Sequence, residues 1–103
     1  MAVAAGYPII AEEVLPKMAK ITLSTAGWSD NQQTVSIVGI SSNENVQAIY
    51  INPVYNEEKI EIIANCNVYA SGQGENSLTF SCDTVPSQDL EFYVKWEDVK
   101  YIS

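Results

Sequence analysis

Leu90, Phe92, Val94 and Trp96 alternate with Glu91, Tyr93, Lys95 and Glu97 near the end of the chain. A period of two over eight residues predicts a strand with one buried face. The same alternation recurs upstream. Ile21 and Leu23 share one face of ITLS, and Val35 and Ile37 alternate with Thr34 and Ser36 in QTVSIVGI. VQAIYIN, closed by Pro53, is apolar on both faces, which predicts a central strand. From Cys66 to Cys82 two alternating segments flank a middle crowded with Ser71, Gly72, Gly74, Asn76 and Ser77. This predicts a β-hairpin about Gly74. Ala70 is expected opposite Leu78, Val68 opposite Phe80 and Cys66 opposite Cys82, the apolar side chains on one face and Asn67, Tyr69, Thr79 and Ser81 on the other.

One stretch has a different period. Asn56 is a good N-cap, Glu57 and Glu58 suit the positive end of a helix dipole, and Ile60, Ile63 and Ala64 follow at helical spacing. The pattern predicts a short helix over 56–64, with Asn65 taking the left-handed exit. Ala26-Gly27-Trp28 and Ser29-Asp30-Asn31 predict a turn. Residues 1–18 hold two prolines, several alanines and Glu12-Glu13. They read as an N-terminal arm, the alternative being a short first strand. Six strands and one short helix over 19–103 imply a mainly β domain, a small antiparallel β-sandwich of immunoglobulin-like (Ig-like) type.

Composition narrows the function classes. The chain has 103 residues, 47% hydrophobic and 17% charged, which suits one folded domain. Its five basic residues are all lysines, it has no histidine, and its formal net charge is −8. Nucleic-acid binding requires cations along a phosphate track and leans on arginine for base readout, so no nucleic-acid partner is expected. An anionic membrane surface is disfavoured for the same reason, and no apolar run approaches the roughly 20 residues of a membrane helix. The N-terminus lacks a positive region before its apolar stretch, so synthesis in a cytosol is expected.

The candidate chemistry is sparse. Without histidine, Ser-His and Cys-His nucleophiles are excluded. Cys66 and Cys82 supply two of the four ligands zinc requires, and they read more simply as buried, reduced thiols. Their facing positions permit a cross-strand disulfide, whereas a cytosol keeps thiols reduced. Glu12-Glu13, Glu57-Glu58 and Glu97-Asp98 are adjacent acids that do not converge on one point, so they read as solvated charge. Gly72 and Gly74 lie between antiparallel strands and are turn residues rather than a phosphate loop. No catalytic residue, metal or cofactor is expected. Trp28, beside a loop, reads as a lid over one end of the core, or as an exposed anchor. Tyr69 and Tyr93, outward on their strands, are candidates for a subunit interface.

The order of ITLSTAGWS, QTVSIVGI, Val46 to Pro53, Asn56 to Ala64, Cys66 to Cys82 and Val85 to Val94 resembles a small β-module of tailed-phage virion structural proteins from Firmicutes-type hosts. Such modules often end head-fibre, tail-fibre or other appendage chains. The resemblance covers about residues 20–96 and brings no catalytic residues with it. Family members often carry a long fibre-like region before the module. Here only the arm precedes it, which favours a small accessory protein such as a capsid decoration protein or head-fibre base.

The resemblance therefore implies a non-enzymatic virion protein, made in the host cytoplasm, whose partners are phage capsid or appendage proteins. Self-association is expected, with a trimer suggested by analogy to phage appendages. The apolar arm residues Val3, Tyr7, Ile9, Ile10, Val14 and Leu15 are the expected docking set, because so short an arm cannot hide them against itself. Two other readings stay open: a receptor- or glycan-binding tail-fibre module using loop aromatics such as Trp28, and a small inhibitor of host defence.

Overall fold

The inward row of Leu90, Phe92, Val94 and Trp96 is the centre of the fold, each residue at most 4% exposed. It belongs to β6 (Leu90–Asp98), the middle strand of a three-stranded antiparallel sheet in which β1 (Lys17–Leu23) and β3 (Gln47–Pro53) flank it. A second antiparallel sheet has β5 (Ser77–Ser81) between β2 (Gln32–Ser36) and β4 (Tyr69–Gly74). An α-helix, α1 (Glu57–Cys66), joins β3 to β4. This computed structural model describes residues 17–98. The predicted antiparallel β-sandwich is the fold it adopts. Only the β4–β5 connection stays within one sheet, and every other link between successive strands passes from one sheet to the other.

The core forms where the two middle strands face each other. Phe80 of β5 stacks on Phe92 of β6, with ring centroids 5.3 Å apart. Ile21, Leu23, Ile37, Ile40, Val68, Leu78 and Cys82 complete the buried cluster around them. Each fully buried side chain of this size contributes about 1.5–3 kcal/mol by leaving water.

Turn chemistry sets the connections. Asp30 and Asn31 both have positive φ, 52° and 62°, and Ser29 and Gln32 exchange two backbone hydrogen bonds across them at 2.9 Å. Two consecutive left-handed residues are the signature of a type I′ turn, and Asp and Asn tolerate that conformation best after glycine. Asn31 then donates from Nδ2 to the carbonyls of Cys82 and Asp83, tying the turn to the end of β5. At the other end of the sandwich Asn76 accepts from the Gly39 N–H through its side chain and donates its own N–H to Ile40.

Several expectations are corrected. Among the described residues β3 is an edge strand, not a central one; Ile49 and Ile51 are only half-buried and Tyr50 is exposed. An apolar residue on each face does not require a neighbour on each side. Pro53, which has no N–H for a ladder, is compatible with this edge.

The hairpin turns later than expected, between Gly74 and Ser77 rather than about Gly74, and its register differs. Ala70 lies opposite Phe80, Tyr69 opposite Ser81 and Gln73 opposite Leu78, with a bulge between Ala70 and Gly72. Val68 and Phe80 still point into the same core.

The helix runs two residues further than predicted. Asn56 caps it, accepting from the Lys59 N–H, but Asn67 rather than Asn65 takes the left-handed exit, at φ 54°. Its packed stripe is Ile62, Ile63 and Cys66, while Ile60 and Ala64 face solvent. Cys66 therefore ends a helix and is not a strand residue opposite Cys82. β1 begins at Lys17, so Lys17 and Met18 lie in the strand.

Candidate interaction surfaces

The two outer faces of the sandwich differ in chemistry. On the β1-β6-β3 face, Met18, Lys95 and Tyr50 lie in one row across the strands, and Lys20, Tyr93 and Asn52 lie in the next. Met18 is 64% exposed, Tyr50 46% and Tyr93 41%. Lys20 pairs with Glu91 at 3.6 Å, an exposed ion pair that contributes little to stability. The face therefore mixes lysine with large apolar side chains.

The opposite face, over β2-β5-β4, carries no formal charge. Thr34 pairs with Thr79 and their hydroxyls bond at 2.8 Å; Ser81 donates to Ser71 at 2.7 Å; Ser36 and Ser77 form the next pair. Tyr69, 51% exposed, stands beside Ser81 on this surface. The two tyrosines expected at a subunit interface thus lie on opposite faces, and one flat contact cannot use both. Tyr50 and Met18, which keep Tyr93 company, were not singled out from the sequence. Their only signal was register: each falls opposite Lys95, and register is what a single strand's pattern does not give.

The flanks differ as well. On the β1–β2 side the buried Gln33 closes the sandwich by bonding both backbone groups of Ser24. On the β3–β4 side the two edge strands leave a groove of about 330 Å³. Ile49, Ile51, Ala70 and Leu78 give it apolar walls, and Glu44 is its charged lining residue. Two glutamines fasten the loop above it. Gln73 donates to the Ser41 carbonyl at 2.8 Å, and Gln47 accepts from the Ser41 N–H and donates to the Gly39 carbonyl.

Backbone polarity at this flank follows from one bond. The Val54 N–H donates to the Glu91 carbonyl at 3.0 Å. Antiparallel ladders alternate, so even-numbered residues of β3 bond to β6, and Ile49 and Ile51 direct their N–H and C=O groups to the free edge. Pro53 falls in that outward set.

Trp28 is half-buried and packs against the core cluster, with its indole N–H buried and unpartnered. That is the lid arrangement. Cys66 and Cys82 are both free thiols: Cys82 is buried and Cys66 half-buried. Burial raises the Cys82 thiol above its ordinary range, and the neighbouring Cys66 and Asp83 push the same way. The two chain segments touch through the Asp83 N–H, which donates to the Cys66 carbonyl at 2.8 Å. Among the described residues no three Cys, Asp or Glu side chains cluster to hold a metal ion, and no helix is long and apolar enough to cross a membrane. Val3, Tyr7, Ile9, Ile10, Val14 and Leu15 lie outside the described residues.

These features define a small antiparallel β-sandwich with two chemically distinct faces and one open apolar flank. Compared with protein-family models, curated proteins and solved structures, the chain matches none.

Proposed function

We propose that this chain is a non-enzymatic structural protein of a phage virion, a capsid decoration protein or head-fibre base that docks through the residues preceding β1, 1–16, and self-associates. The observation that carries the reading is the element order. Strand, turn, strand, strand, helix, hairpin and last strand follow one another in the order of the sequence motifs on which the resemblance to a phage β-module rests. The exposed Met18, Tyr50 and Tyr93, in two adjacent rows of one sheet face, support a protein that works by contact, since apolar surface held in water is a cost that a partner removes. Quantitative mass spectrometry of purified particles tests the proposal. Many copies per particle fit decoration and a few fit a fibre base; absence from particles overturns the reading.

One observation favours a second reading, a receptor- or glycan-binding tail module. The uncharged hydroxyl face around Tyr69 offers an aromatic ring for a sugar to stack on and neighbouring hydroxyls to bond it. Trp28, packed on the core, is a poorer platform than expected. Binding to a glycan array that is lost in Tyr69→Ala would select this reading.

A further inference from the structure

We infer that Cys66 and Cys82 form a redox latch: a low-molecular-weight disulfide converts the two thiols into a bond that ties the C-terminus of α1 to the end of β5. The inference does not depend on the virion reading, and it assigns the chain a modification site.

Three observations carry it. The first is distance. The Cys66 carbonyl accepts from the Asp83 N–H at 2.8 Å and from the Thr84 N–H at 3.4 Å. Covalent geometry then keeps the Cα atoms of Cys66 and Cys82 within about 7.6 Å of each other, and disulfides bridge Cα atoms about 4.4–6.8 Å apart. Both side chains meet the same core cluster, Cys82 as a member and Cys66 packed against it. The same proximity has an electrostatic sign, since ionised Cys66 holds the Cys82 proton on.

The second is anchoring. The Cys82 N–H donates to the Asn31 carbonyl, and the Cys82 carbonyl accepts from Asn31 Nδ2, both at 3.0 Å. Asn67, the left-handed exit of α1, donates from Nδ2 to Asp83 Oδ2 at 3.2 Å. Both backbone segments are therefore held while the thiols are still reduced, and closing the latch orders little that is not already ordered. None of the residues of α1 is fully buried, so the bond fastens an element that the core holds by one packed stripe.

The third is the contrast in exposure. Cys66 is half-buried and meets reagents from solution, whereas Cys82 is 5% exposed and is shielded from them but not from its neighbour. The roles divide accordingly. The Cys66 thiolate attacks one sulfur of the small disulfide, whose S–S bond breaks; one small thiolate leaves and a mixed disulfide forms at Cys66. The Cys66 sulfur then carries no charge, which removes one of the causes that hold the Cys82 proton on. The Cys82 thiolate attacks Cys66 Sγ, the second small thiolate leaves, and the Cys66–Cys82 bond forms. The two protein protons end on the two small thiols. The protein dithiol is oxidised, and the small disulfide reduced, by two electrons.

The test incubates the full chain, native and in concentrated urea, in buffers of graded oxidised-to-reduced glutathione ratio. Samples are quenched with acid, alkylated after denaturation and weighed. The native chain should end two hydrogens lighter and unalkylated. Its equilibrium constant for closing should exceed the value in urea about a hundredfold, as a loop of about 15 residues implies. A constant no larger in the fold than in urea, a glutathione adduct that persists on the parent chain, or disulfide-linked dimers would overturn the inference. Two variants test the order of attack. Cys82→Ser should stop at the mixed disulfide on Cys66, and native Cys66→Ser should stay unmodified. Glutathione reaching Cys82 in native Cys66→Ser as fast as it reaches Cys66 in the parent would overturn the assigned roles.

Discussion

The carboxamide of Gln33 grips both backbone groups of Ser24. Its oxygen accepts from the Ser24 N–H and its nitrogen donates to the Ser24 carbonyl, both at 3.0 Å. Gln33 belongs to β2 and Ser24 follows β1, so the pair of bonds links the two sheets at their closed flank. Gln33→Ala leaves the Ser24 N–H without a protein partner, while the Ser24 carbonyl keeps only the Gly27 N–H at 3.2 Å, and should cost about 1–3 kcal/mol. Urea unfolding checks it, and a change below about 0.5 kcal/mol would show that water replaces the clamp.

Phe80 is 1% exposed and stacks on Phe92 across the core. Truncation removes the transfer energy of the ring and leaves a cavity. Phe80→Ala should destabilise the fold by about 3–5 kcal/mol, enough to consume much of the stability of a small domain. Equilibrium denaturation of the two proteins measures the difference. A cost near 1 kcal/mol would mean that the sheets close over the gap.

The sandwich, its six strands and its helix were legible because the alternation of Leu90 to Trp96, or of Leu78 and Phe80, reports which face is buried. Register was less legible. Ala70 opposite Leu78 and Ala70 opposite Phe80 differ by two residues, and a two-residue shift leaves every side chain on the same face. The bulge between Ala70 and Gly72 then reverses parity and sends Gln73 inward, and small residues there gave no apolar signal of it. Gln33 and Gln47 are buried polar residues whose backbone partners lie in the loops six to nine residues before them, so the alternation within their own strands does not mark them. The open flank was hidden for the same reason: VQAIYIN has the composition of a central strand, and only the sheet order makes β3 an edge.

Gly39 has φ +112°, a conformation that residues with a Cβ rarely adopt, and a Cβ there would lie 3.1 Å from the Trp96 ring. Gly39→Ala combines backbone strain with a close contact against a buried indole, and should cost about 1–3 kcal/mol. Gly72 provides the contrast, because a Cβ at that position meets nothing within 4 Å. Gly72→Ala should be neutral, or stabilising by up to about 1 kcal/mol, through the lower entropy of the unfolded chain. Thermal melts of both variants should therefore move in different directions or by clearly different amounts. Equal losses would show that Gly39 has no special role.

The two thiols should differ in reactivity and in their effect on stability. The thiolate is the reacting form, and burial, the nearby Cys66 and Asp83 all hold the Cys82 proton on. In the native protein at mildly alkaline pH, iodoacetamide should therefore label the half-buried Cys66 first and reach Cys82 only on unfolding. The same shift sets a sign for stability. In the unfolded chain Cys82 loses its proton near the ordinary thiol value of 9.0, whereas in the fold it does so at higher pH. Between those values the unfolded state holds fewer protons, so its population is favoured as pH rises. The contribution of Cys82 is complete below the ordinary value and declines above it, towards the raised one. Tyrosine and lysine titrate in the same range, so the measurement is a comparison. Cys82→Ala should lose less stability than the parent between pH 8 and pH 10 (an interval of about two units around the ordinary thiol value), and equal slopes would show that Cys82 ionises as freely in the fold as outside it.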